Sequence, residues 1–223
     1  MKHLILLSLL GSLFFGCHSD NQSNTSTKVD TAVKTTAPAA AVGSAKLPDT
    51  AKYKAEIQNL VRQMLKWADA KKGIDLLPVL VKDSICTGFD MAKEKQTLAQ
   101  LRRSGFFADE FINNYDHIIR TLDHKIRNKE FEPWNVGDLP IFNFDNDVDP
   151  WCDCQDNLSW DKVEVEAVNL GADKGELKWN WGKPDAGTDP SWKDFFYKFR
   201  VVKVDNQWKI SYLQGFDYQE GIK

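Results

Sequence analysis

The feature that most constrains the fold is a change in the period of the hydrophobic pattern near Phe131. Between Asp49 and Glu130 large apolar residues recur at steps of three and four; after Phe131 they come every second residue. The first period belongs to helices and the second to strands. Helices followed by a run of strands predict an α+β domain, with the helices packed on one face of a curved antiparallel sheet.

In the first half, Tyr53, Ile57, Leu60, Val61, Met64 and Ala68 form one stripe, with Pro48-Asp49-Thr50 as the start signal and Gly73 as the stop. A second, shorter helix is predicted over 90–104, ended by Gly105. A third covers 108–130, with Phe111, Tyr115, Ile118, Leu122 and Ile126 aligned. The stretch 74–89 is ambiguous, and Pro78 argues against one continuous helix there. Residues 132–151 are rich in Pro, Gly, Asn and Asp and read as loop. Strands follow at 162–170 and 175–182. The segment 194–216 reads as a hairpin turning at Asp205-Asn206, residues that tolerate the left-handed backbone of a tight turn.

What precedes the domain sets its compartment. Lys2 and the apolar run Leu4 to Gly16 make a secretory leader too short to anchor in a bilayer. The run ends in Gly16-Cys17, which resembles a bacterial lipobox, although Phe14 and Phe15 depart from the pattern. The resemblance implies cleavage after residue 16, lipidation of Cys17 and a membrane anchor. Each buried acyl CH₂ contributes about 0.8 kcal/mol. Residues 17–48 are Ser, Thr, Ala, Asn and Lys with almost no large apolar side chain, and so predict a disordered tether. Residues 49–223 have the size of one domain. Removing residues 1–16 takes away one lysine, leaving 28 bases against 32 acids, a net charge of −4. That excess argues against nucleic acid as a partner.

Two or three helices, then a twisted sheet ending in "FRVVKVDNQWKISYLQGF", resemble the cystatin-like cone of the nuclear-transport-factor-like superfamily. The leader, the "DPWCDCQD" segment and the terminal hairpin together resemble small exported bacterial domains. The superfamily resemblance implies a conical pocket between helices and sheet, used by some members for dehydration or isomerisation and by others only for binding.

Candidate chemistry is sparse. Beyond the tether the histidines are His117 and His124, seven residues apart on one helix face. That is roughly 10 Å along the axis, too far to share a metal ion. Asp116 beside them can pair with Arg120 one turn on. No predicted strand carries a histidine, and Asp194 with Tyr197 is the one acid–base pair on offer. Asp145, Asp147, Asp149 and Asp156 imitate the spacing of a calcium loop. The imitation fails where Pro150 replaces the glycine that such a loop requires; an irregular calcium site stays open. Cys152 and Cys154 lack the further soft ligands of a zinc site and the spacing of a redox pair. With Cys17 lipidated, three cysteines share an oxidising compartment. The expected disulfide joins Cys86 to Cys152 or Cys154, closing a loop of about 65 residues worth about 4 kcal/mol. A bond within 152–154 and free thiols are the alternatives.

Seven of the eight tryptophans follow residue 133. They predict either filling for the sheet or a platform for a sugar, with Trp179, Trp181, Trp192 and Tyr197 as the ligand-binding candidates. The functional expectation is an envelope lipoprotein, at the periplasmic face or the cell surface. Its domain is expected to be a non-catalytic binding or scaffolding module with a glycan or protein partner, without cofactor or metal. The rivals are an enzyme of dehydratase or isomerase type and an immunity-type inhibitor that meets a toxin through acidic loops.

Overall fold

The computed structural model describes residues 49–70 and 74–223. The leader, Cys17, the 17–48 segment with Pro48, and the expected stop at Gly73 lie outside the described residues. Helix α1 spans Thr50–Ala70, strands β1 and β2 span Val79–Lys82 and Ile85–Phe89, and helices α2 and α3 span Met91–Ser104 and Asp109–Arg127. Strands β3 to β6 span Glu164–Leu170, Lys174–Asn180, Tyr197–Val204 and Gln207–Leu213, followed by a single helical turn, α4, at Tyr218–Gly221. The architecture is α+β, with a two-stranded hairpin and a four-stranded antiparallel sheet in the order β3-β4-β5-β6.

Local chemistry sets the helix ends. The Asp49 carboxylate accepts from the amide of Lys52 at 3.1 Å, capping α1. Asp90 caps α2 by accepting from the amides of Ala92 and Lys93. Gly105 ends α2 with φ of 75°, a conformation glycine adopts without penalty. Helix α1 buries Ile57, Val61, Met64, Leu65 and Ala68, and α3 buries Phe111, Tyr115, Ile118 and Leu122. Burying each large side chain contributes about 1.5–3 kcal/mol. The matching layer is the inner sheet face: Val165, Leu177, Trp179, Tyr197, Phe199 and Ile210. Two polar links fix α1 across β3: Arg62 Nε donates to the Val163 carbonyl at 2.8 Å, and the Val165 amide donates to Gln58 at 3.1 Å.

The ambiguous stretch is the β1–β2 hairpin. It turns through Asp83 and Ser84, both at positive φ, and β2 packs on α3. The β5–β6 hairpin turns at Asp205 and Asn206, also both at positive φ. Among the described residues no helix is long and apolar enough to cross a membrane.

The disulfide expectation needs correction. Cys152 is joined to Cys154, Cα atoms 5.2 Å apart, and Cys86 is a free, buried thiol. Cys86 is held on β2, where its amide donates to the Trp134 carbonyl. Cys152 belongs to a loop docked elsewhere, on Tyr197 and Gly215. The short ring closes because Asp153 takes φ of 54° and because the amides of Cys152 and Asp153 both donate to the Asp149 carbonyl.

Candidate functional site

The 145–155 loop winds tightly, with Asp145, Asp147 and Asp153 all at positive φ. Its docking centres on Tyr197, a fully buried side chain of β5. The Tyr197 hydroxyl donates to the Pro150 carbonyl at 2.7 Å and accepts from the Gly215 amide at 2.9 Å. Gly215 is required here by proximity: a Cβ would stand 2.1 Å from the Pro150 oxygen. Gln214 adds a hydrogen bond to Asp153 at 3.0 Å. The stapled loop is thus fixed to the end of the sheet, while Asp145, Asp147 and Asp149 line a hollow.

There it forms one wall of a hollow of about 640 Å³, within the range of small-ligand sites. The end of α1 supplies Asp69, the loop supplies Asp145, Asp147 and Asp149, and Ile74 and Trp151 give an apolar flank. No Lys, Arg or His lines it among the described residues. The carboxylates are engaged locally: Asp149 accepts from the Trp151 amide at 2.9 Å, Asp147 from the Gln155 side chain at 2.8 Å, and Asp69 from the Trp160 indole at 3.4 Å. Burial pushes the Asp145 carboxyl up to about 7, with the charges of Asp149 and Asp75 adding to it. Burial also raises Asp149; the Trp151 amide opposes this and Asp69 reinforces it. A cation entering the hollow would relieve the repulsion and offset the cost of burying these charges. Among the described residues no group of three or more His, Cys, Asp and Glu is arranged to hold a metal ion.

The residues expected to bind ligand are placed otherwise. Trp179 and Tyr197 are 0% exposed and Trp181 is 1% exposed. Trp192 is half-buried, edge-on to Trp181, and Trp160 stacks on Trp181 with centroids 5.3 Å apart. The expected platform is corrected to an aromatic core: the inner sheet face is covered by α1 and α3, and its rings pack against one another. Asp194 and Tyr197 are not brought together as a pair, since the Tyr197 hydroxyl is committed to Pro150 and Gly215 and Asp194 is exposed. His117 stacks on Tyr218 and His124 contacts Asn128 and Glu130. Asp116 and Arg120 pair as expected, at 2.7 Å.

Sequence spacing singled out Asp145, Asp147 and Asp149 but not Asp69 or Asp75, which arrive from distant positions and carry no local signal. Comparison with protein families, with curated proteins and with solved structures finds no match to this chain.

Proposed function

We propose that this chain is a membrane-anchored envelope lipoprotein whose domain is a non-catalytic binding module, and that its site is the acidic hollow. The address rests on the leader and on Cys17. The cystatin-like cone is the fold half of the proposal, supported by helices covering one face of a four-stranded antiparallel sheet. One observation carries the choice of site: four aspartates, two with raised pKa values, converge on a concave surface lined by no base among the described residues. The partner that fits is a basic segment of another protein, whose Lys or Arg side chains neutralise the acids while their alkyl stems lie on Ile74 and Trp151. An immunity-type inhibitor is the special case in which that partner is a toxin. Calorimetric titration with a lysine-rich peptide tests the reading: binding at low salt, weakened at high salt and lost in Asp145→Asn/Asp149→Asn. Binding unaffected by the double substitution refutes it.

A second reading, an enzyme of dehydratase or isomerase type, has Asp145 in its favour, because a carboxyl near 7 suits proton transfer at neutral pH. It predicts turnover that Asp145→Asn abolishes.

A further inference from the structure

Helix α2 carries a buried acid that neither the binding site nor the fold's other polar contacts use. Glu94 is 0% exposed at the α2–α3 interface, and among the described residues no N–H donates to either of its carboxyl oxygens; the group in reach is the Asp116 carboxylate, to which Glu94 can hydrogen-bond only while it holds its proton. Its neighbours on α3 are Asp116 and Arg120. The guanidinium of Arg120 is half-exposed, stands 3.8 Å from Glu94, beyond hydrogen-bond reach, and spends its short contact on Asp116 instead. Buried charge without a hydrogen-bonded partner is expensive, and removing a proton here creates one. On the same side of the helix, Thr97 donates to the Asp75 carbonyl, tying α2 to the segment before β1.

We propose that the Glu94–Asp116–Arg120 cluster is a pH-sensitive latch: α2 seats fully on α3 while Glu94 is neutral and loosens when Glu94 ionises. The inference is independent of the acidic hollow. The Glu94 carboxyl is pushed up to about 7, first by burial, then by the hydrogen bond its proton makes to Asp116 and by the charge of that carboxylate; Arg120 and Lys95 pull the other way. Despite burial, Asp116 is held below its ordinary range by its hydrogen bonds from Arg120 and from the Glu94 carboxyl, with the charges of Arg120 and Arg102 adding to the effect. Tyr115 faces the same interior from α3; its hydroxyl, raised by burial, Glu94 and Asp75, stays neutral and donates to the Leu76 carbonyl at 3.0 Å.

The sign follows from proton counting. Between the ordinary carboxyl range and about 7 the folded chain holds a proton on Glu94 that the unfolded chain has lost. Raising pH through that window therefore shifts the equilibrium against the seated helix, by up to about tenfold per pH unit. Above it the loss is complete and the dependence on this group levels off.

The experiment is NMR on the full chain. It follows the glutamate side-chain carboxyl carbons between pH 4 and 9, together with exchange of the α2 amides corrected for the intrinsic rate. One glutamate is expected to titrate near 7, to vanish from the spectrum in Glu94→Gln, and to share its midpoint with a rise in α2 exchange. Asp116→Asn, which removes the repelling carboxylate, is expected to move that midpoint to lower pH. Should every glutamate titrate in the ordinary range, or α2 exchange show no step at that midpoint, the latch is overturned. If Glu94→Gln does not fold, the wild-type midpoint and its shift in Asp116→Asn decide alone.

Discussion

Replacing Tyr197 by Phe removes one oxygen and keeps the ring. In the native structure that oxygen serves two backbone groups, the buried Pro150 carbonyl at 2.7 Å and the half-buried Gly215 amide at 2.9 Å. Neither finds a substitute in the phenyl ring. An unsatisfied buried group costs about 1–3 kcal/mol. Two of them, with partial relaxation of the loop, give about 2–4 kcal/mol. The assay is urea unfolding at pH 7 followed by tryptophan fluorescence, with an unchanged m-value, since the exposed surface is the same. Burial raises the Tyr197 hydroxyl well above its ordinary range, so the loss is expected to be equal at pH 7 and pH 9. Hydrogen exchange in Tyr197→Phe is expected to rise over 149–154 ahead of the helices. A loss below about 0.5 kcal/mol, with 149–154 exchanging as in the wild type, refutes the account of how the loop is held.

Asp145 has a raised folded pKa, so its contribution to stability falls as pH rises from about 4 to about 7. Asp145→Asn is expected to flatten that part of the stability profile and to gain about 1–2 kcal/mol over the wild type at pH 8, measured by denaturation at fixed salt; Glu94 leaves a residual slope of the same sign. Alkylation of the denatured, unreduced protein followed by peptide mapping is expected to label Cys86, with 152 and 154 blocked until reductant is added; label on Cys152 or Cys154 instead would restore a bond to Cys86. Palmitate labelling in the source cells is expected for the wild type and lost in Cys17→Ser, which would also leave the membrane fraction; equal fractionation of the two removes the anchor from the account.

The helices were legible because their stripes are long, and Gly105 ends α2 where the sequence places its stop. The β5–β6 hairpin was legible from its alternation and from Asp205-Asn206. The β1–β2 hairpin was not, since four- and five-residue strands hold too few repeats to separate period 2 from period 3.6, and Asp83-Ser84 is a weak turn signal. The chain-entropy argument points to the distant cysteine partner, whereas local backbone geometry at Asp153 and the separate docking of β2 decide the pairing. Alternation identifies which face Trp179 and Tyr197 occupy but not what covers that face; α1 and α3 cover it. The hollow depends on Asp69 meeting the 145–149 acids from a position some 80 residues away, which no local pattern encodes.

The claim on which the functional account turns is that a basic partner enters the hollow beside the stapled loop. Amide chemical-shift mapping of the protein during titration with an octalysine peptide tests it most directly. The account predicts shifts confined to residues 68–69, 74–76 and 145–155, saturating together and absent in Asp145→Asn/Asp149→Asn. Shifts scattered over acidic side chains across the whole surface, or an unchanged pattern in the double variant, would contradict it.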